Sequence, residues 1–526
     1  MSTNLLASKI TFTEESLSVR PIQGAATSVV GAIGLAERGP IGVATLVNSF
    51  EEYVQIFGSF GANYDLTLAA QTFFDNGGST LWVVRVAHYT DVTDGTSTTA
   101  TAATTASIMD TAGTPAARAT FAGKTPGTYA AGLSVVVDVA SSGRANEMNI
   151  TVMRAGRAVE NFPNVSALVT APNYFLTIVN GTSNLIKATD VNPAGTTALA
   201  AGTTALTGGG DGLASLADAD FIGSQAGGTG LRAFDKVDDL TVLIAPGRAT
   251  AAMHNAMISY CEGARFGKVF TVLDPPSGLT AQGIKTYVNT TASIKELSEF
   301  AAIYWPRVLI ANPNAAIYGN TPTIAIPPSG AIAGLYARND ARPGGVYEAP
   351  AGIDNNYGVL FNVLGLETDE VRDETKRDIV FPELINPIVG IKGQPIHLDG
   401  ARTLKSTSNF PTIGERRGMI FIERSLETGL MFAKHRKIKT STLQRMQRTS
   451  VAFFLSQLRL DAFASDVPSE AFTVDFGAGL NPPSEKFARR INGRFGVATA
   501  KPGEYIVLRA GQDTRALEAE LNKATA

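Results

Sequence analysis

The sequence predicts an α+β multidomain fold: a core of mixed sheet flanked by helices with a βαβ-type middle region, plus an inserted β-rich outer domain and extended N- and C-terminal arms. Three observations carry this expectation. At 526 residues the chain exceeds what one hydrophobic core organises, so roughly two to four domains are expected. From Asp239 onward, apolar runs of strand length alternate with helical patterns across short links, which is how parallel strands with right-handed crossovers read. Between about Asp91 and Thr207 the composition shifts to Ala and Thr with few aromatics and charges, interrupting that pattern. The boundaries that follow are an arm at 1–20, a first part of the core at 21–90, the insert at 91–206, a middle α/β domain at 207–395, a C-terminal core domain at 396–509 and a charged tail at 510–526.

Composition narrows the class. A hydrophobic content of 44% with 17% charged residues suits a globular chain that buries much surface, or a subunit that hides its faces in an assembly. Cys261 is the one cysteine, which excludes an internal disulfide and a cysteine-based metal cluster. The first residues lack a charged stretch followed by an apolar one, so no signal peptide is expected. No apolar run approaches the roughly 20 residues that span a bilayer, so a protein soluble in the cytoplasm is expected.

Taken in order, Ile10–Thr13 alternates like a short strand with little around it to form a core, and pairing with a sheet edge is its expected use. A small-residue strand follows at Thr27–Ala36. Ser49 and Glu52 have capping-box spacing, so a short helix should begin there. Asp65 is expected to cap a helix carrying Leu66, Ala69, Ala70, Phe73 and Phe74 on one side. Asn76-Gly77-Gly78 should stop that helix before a buried strand at Leu81–Val86. In the insert, Leu133–Val139, Asn149–Arg154 and Tyr174–Val179 read as strands between Gly, Pro and Asn turns. The glycine run Leu206–Gly212 lacks the Lys-Ser/Thr of a phosphate loop and reads as a flexible junction. Beyond it, strands are expected at Leu240–Ala245, Lys268–Leu273 and Tyr304–Ala311, with helices at Thr250–Arg265 and near Ala281–Thr290.

The block Gly414–Arg509 concentrates positive charge. From Gly414 to Leu460 there are ten Lys/Arg against three Asp/Glu, in a chain of net charge −3. A helical run Glu415–Leu430, a basic hinge Lys434–Lys439, a second helical run Ser441–Phe463 and an exposed-looking strand Glu504–Arg509 are expected. Ser441 is placed to cap the second helix. At about 100° per residue, Arg445, Arg448 and Arg459 share roughly one sixth of its circumference, while Leu443, Met446, Val451, Phe454, Leu455 and Leu458 fill the rest. A solvated face and a partner-facing face both fit the arginine row. The acidic balance of the whole chain argues against nucleic acid as the partner.

Catalytic signatures are missing. The four histidines, His88, His254, His397 and His435, form no His-x-Glu-x-x-His pattern, and there is no Gly-x-Ser-x-Gly elbow and no Walker lysine. His254 and Cys261 lie seven residues apart, roughly 10 Å along a helix, too far for a dyad. Asp274 ends a strand, where α/β enzymes place chemistry, but Asp274-Pro275-Pro276-Ser277-Gly278 suits a rigid turn, which is the favoured reading. No catalytic residue, cofactor or metal is expected.

Several stretches together resemble the contractile tail sheath proteins of bacteriophages and related injection systems. They are 19–28 (VRPIQGAATS) with 34–40 (GLAERGP), 73–79 (FFDNGGS) with 83–86 (VVRV), and 237–242 (VDDLTV). Further along come 327–330 (PPSG) with 334–338 (GLYAR), 348–352 (EAPAG), Ile385-Asn386-Pro387, Arg416-Arg417, Asn481-Pro482-Pro483 and 502–507 (PGEYIV). Each is weak singly; order and spacing make the set specific. It covers roughly 17–90 and 206–509 and leaves the Ala/Thr-rich insert uncovered. The less regular N-terminal arm and the charged tail 513–526 depart from the pattern.

The resemblance implies a non-enzymatic structural subunit that polymerises into a helical sheath around an inner tail tube and contracts to drive the tube through a cell envelope, as in viral genome ejection. The partners it implies are further copies of the chain, the inner tube protein, and baseplate and tail terminator proteins. Direct nucleic-acid contact and membrane insertion are not among them. The implied location is a virion tail assembled in the host cytoplasm. Arg445, Arg448 and Arg459 would face the tube on an inner C-terminal domain. Ile10, Phe12, Tyr505, Ile506, Val507 and Leu508 would form strands exchanged between subunits. Two other classes stand beside this one: a different shell or surface-layer lattice protein, and an α/β enzyme using Asp274.

Overall fold

A computed structural model describes residues 22–508 together with Arg515 and Lys523. Its centre is an eight-stranded mixed sheet. In spatial order the strands are His397–Leu398, Ile385–Val389, Ala301–Trp305, Phe270–Leu273, Val242–Ile244, Val29–Gly34, Thr80–Arg85 and Thr45–Val47. The inner strands pair in parallel, and a short antiparallel strand closes each edge. Parallel sheets need cover on both faces, so their strands are apolar throughout rather than alternating. Val29–Gly34, Phe270–Leu273, Ala301–Trp305 and Ile385–Val389 are buried at every position.

Two helical layers supply that cover. On one face the helices Asp65–Asp75 and Ser329–Asp340 pack with Val30, Ala32, Val242 and Val272. Gly330 and Gly334, one helical turn apart, let those helices touch backbone to backbone. A Cβ at Gly330 would stand 2.4 Å from the Ala69 carbonyl, and one at Gly334 2.3 Å from that of Phe73. On the other face Met253, Met257, Ile284 and Val288 pack with Ile33, Leu243 and Ile303.

The stretch after Thr80–Arg85 builds a core of its own from Ala103 to Leu206. One sheet there holds Gly202–Ala205, Leu133–Val139, Glu147–Arg154 and Arg157–Ser166; a second holds Ile108–Met109, Ala117–Gly123 and Ile186–Asp190. The buried Arg85 ties this region to the main sheet by donating to the carbonyls of Gly39 at 3.0 Å and Pro126 at 2.7 Å. Tyr174–Val179 is not the strand its apolar run suggested. Phe175–Thr182 is a helix that sets Phe175 and Val179, four residues apart, into the same core, because a short apolar run carries no period of its own. The glycine run is not loose either. Thr101 and Gly210 exchange backbone hydrogen bonds at 3.0 Å, and Asp211 accepts from the Thr128 backbone at 2.7 Å.

The C-terminal region begins with the helix Ile413–Gly429, entered through a Thr412–Glu415 capping box. The helix Thr440–Leu458 follows, and then an antiparallel pair, Phe472–Asp475 with Arg494–Val497. Local expectations need correcting here. Lys439, not Ser441, is the N-cap residue and makes no side-chain cap bond; the helix ends at Leu458, before Asp461 turns to a φ of 58°. Earlier in the chain, Tyr64 rather than Asp65 is the N-cap, because Asp65 already lies in the first helical turn. Tyr304–Ala311 divides into the strands Ala301–Trp305 and Val308–Ala311 around Pro306, which has no N–H for a ladder. Glu504–Leu508 forms no strand within the chain. Ile10, Phe12 and Arg509 lie outside the described residues.

The glycine contact gives the first test. Gly334→Val should push the two helices apart and cost about 1–3 kcal/mol, read as a lowered urea midpoint with its slope unchanged. A midpoint within error of wild type would mean the helices do not pack as described.

Candidate functional site

The two places where an α/β fold usually carries chemistry are filled by the chain itself. Ligands bind such sheets at the switch point, outside the carboxyl ends of strands whose connections diverge. Here Val29–Gly34 lies between Val242–Ile244 and Thr80–Arg85. The start of the helix Asp65–Asp75 plugs that crevice. Leu66 packs against Gly34, and a Cβ at Gly247 would stand 2.1 Å from the Asp65 carboxylate. Asp274 is buried with both oxygens engaged, accepting from the Ser329 backbone N–H at 2.8 Å and from the Ser329 hydroxyl at 2.7 Å. Burial pushes its pKa up to about 7, against the hydrogen bonds from Ser329 and the charge of Arg307. It fixes the start of the Ser329–Asp340 helix, in keeping with the turn reading.

His254 is buried, its pKa lowered by burial to about 4, and its Nδ1 hydrogen-bonds the Tyr287 hydroxyl at 2.8 Å. Cys261 is buried and its thiol pKa raised by that burial. Among the described residues no cluster of three or more His, Cys, Asp and Glu could hold a metal, and no helix is long and apolar enough to cross a membrane.

The C-terminal region presents the charged surfaces. Arg445, Arg448 and Arg459 are exposed, with Arg445 lying 4.4 Å over the Phe432 ring. They form a row rather than a cluster, since Arg459 sits at the helix end about 16 Å beyond Arg448. The excess positive charge read from the sequence is only partly a surface property. Arg416 is buried between Glu299 at 2.9 Å and Glu423 at 3.0 Å, and Arg417 pairs with buried Asp340 at 2.5 Å. Arg424 donates to the carbonyls of Leu240 and Asp238.

A second basic surface is legible in the sequence only in part, as the hinge Lys434–Lys439. Lys434, His435, Arg436 and Lys437 line a groove together with Lys486 and Arg489, over a floor of Leu430, Ala433, Met446 and Ile491. Some fifty residues separate the two basic segments, so only the fold brings them together. The signal available was the run Lys486…Arg489-Arg490 after Pro482-Pro483. Arg490 is taken by Glu485 at 3.1 Å, whereas none of the groove cations pairs with a carboxylate among the described residues.

The end of the described chain is different in kind. Tyr505, Ile506, Val507 and Leu508 are 74, 85, 79 and 88% exposed, a run of large apolar side chains with no ladder partner among the described residues. The antiparallel pair Phe472–Asp475 and Arg494–Val497 forms a two-stranded sheet; the outer edge of Arg494–Val497 is open among the described residues, whereas on Phe472–Asp475 the Val474 carbonyl accepts from Gln447 Nε2 at 3.4 Å.

No family model matches this sequence, and no curated protein matches it. Solved structures do. The fold is similar to the sheath tail protein of Desulfitobacterium hafniense, with a TM-score of 0.59 at 12% identity over 89% of this chain and 93% of that one. It is similar to the sheath of the extracellular contractile injection system PVC in its contracted state, with a TM-score of 0.56 at 18% identity over 98% and 100%. The contracted helical sheath of the anti-feeding prophage gives 0.55 at 17% over 96% and 99%. The likeness at these identities is one of fold: a large mixed sheet flanked by helices, as in sheath proteins.

Asp274 yields a prediction with a definite sign. Its native pKa of about 7 exceeds the unfolded value near 4, so its contribution to stability is full below about pH 4 and is lost as the pH rises through 7. Asp274→Asn keeps both contacts to Ser329 without the charge. The variant should gain on wild type between about pH 4 and pH 7 in urea titrations, by up to roughly 1.4 kcal/mol per pH unit, and the difference should level off above pH 7. Parallel pH profiles would contradict the burial of a titrating carboxyl.

Proposed function

We propose that the chain is a structural subunit of a contractile tail sheath: it polymerises around an inner tube and contracts to drive that tube through a target envelope. The observation that carries this is the likeness of fold to sheath proteins over nearly the whole chain.

In this reading the exposed segment Tyr505–Leu508 pairs with a neighbouring copy, and Ile10 and Phe12 act in the same way from the other end. Main-chain hydrogen bonds then join subunits regardless of how their faces slide. The open edge of the two-stranded sheet, along Arg494–Val497, is a suitable acceptor. The exposed row Arg445, Arg448 and Arg459 faces the tube, and the basic groove beside it widens that surface. Contacts of this kind are screened and worth about 0.2–1 kcal/mol each, weak singly and additive along a tail. Baseplate and terminator proteins cap the polymer, which is assembled in a host cytoplasm and carried on a virion tail or a similar particle. Contraction needs two packings of the same interfaces and no cofactor.

Deleting residues 504–526 or 1–16 should abolish long polymers while the subunit stays folded. Normal polymers from either truncation would sink the exchange of strands. Replacing Arg445, Arg448 and Arg459 with Glu should weaken co-assembly with the tube by about tenfold per subunit at low salt, about 1.4 kcal/mol. Unchanged co-assembly across a salt series would take that row out of the interface.

A further inference from the structure

The C-terminal segment is not free along its whole length. Thr499 donates to Glu415 at 2.6 Å, and Glu504 then meets Arg402. Arg402 Nε donates to one Glu504 oxygen at 2.9 Å and its Nη2 to the other, while Nη1 donates to the Phe381 carbonyl at 3.2 Å. The guanidinium carbon lies 3.9 Å from the centre of the Phe381 ring, which also packs at 88° to the ring of Tyr505. Donating to the Glu504 carboxylate holds the Arg402 pKa above its ordinary value.

Arg402 is itself held stiffly. Its backbone N–H donates to Oδ1 of the fully buried Asn386 at 2.7 Å, and Asn386 Nδ2 returns a bond to the Arg402 carbonyl at 2.8 Å. Asn386 stands in the fully buried strand Ile385–Val389 of the main sheet, so hydrogen bonds run without a break from that sheet to Glu504. Beyond Tyr505, the exposed Ile506, Val507 and Leu508 have no anchor among the described residues.

We propose that Arg402 and Glu504 form a clasp that fixes where the C-terminal arm leaves the subunit, and so which neighbouring copy of this chain the arm can reach. This rests on the exchange reading above. A bidentate pair fixes direction as well as position, which a single contact would not. Both side chains are about one-quarter exposed or less, so salt weakens the clasp without abolishing it. Arg402 and Glu504 are positioning residues; the pairing itself belongs to the residues after them.

The test uses the full chain. Cys261 is buried, so Ile506→Cys can carry a spin label alone, and its mobility in unassembled subunits reports the exit of the arm. Glu504→Arg and Arg402→Glu should each mobilise the label and shorten polymers several-fold, and the double exchange should restore both. Glu504 is on the surface, so its variant keeps the fold if the Arg402 variant does not. An immobile label and wild-type polymers in Glu504→Arg would overturn the clasp. Polymers that survive deletion of 505–526 would instead refute the exchange of the arm, while the label would still report whether the clasp exists.

Discussion

Arg417 reaches from the helix Ile413–Gly429 into the layer that covers the main sheet. There it bonds the buried Asp340, the Thr27 carbonyl at 3.2 Å, and the face of Tyr336. Arg416 beside it joins Glu299 and Glu423 and stacks on Phe300 and Phe410. Such buried pairs gain little net stability, since desolvation offsets much of the attraction. Losing one partner costs about 3–5 kcal/mol, so the pairs penalise every other docking of this helix. The arginine row, the basic groove and the exit of the arm all hang from a helix oriented in this way.

That arrangement separates rigid from adaptable parts. The sheet is closed on both faces and its switch-point crevice is plugged, so the interior has little left to exchange. What remains available among the described residues is peripheral: unpaired cations, the open strand edge Arg494–Val497 and a short apolar tail. Heterologous contacts between identical copies close into rings or extend as helices. A subunit whose free bonding capacity lies at its margins can keep its fold while its neighbours rotate.

Much of the fold was legible in the sequence, and the reasons differ by residue. The parallel strands and their crossovers announced themselves as apolar runs between helical periods. The helix at Phe175 did not, because the six-residue, mostly apolar run Tyr174–Val179 fits either state. The resembling motifs also acquire physical roles. Gly330 and Gly334 permit a close helix contact, Asn386 holds Arg402, and Asn481 bonds the carbonyls of Phe476 and Asn492 across the turn of the C-terminal pair. Periodicity could place Arg445, Arg448 and Arg459 on one exposed face. It could not join Lys434–Lys437 to Lys486 and Arg489, nor separate Arg416 and Arg417 from the surface charge, since both depend on tertiary neighbours.

Negative-stain electron microscopy of the purified full-length chain, expressed alone and concentrated, tests the central claim most directly. A sheath subunit should form hollow tubes of uniform diameter with a regular axial repeat. Dispersed monomers at high concentration with both termini intact, or flat sheets in place of tubes, would contradict it.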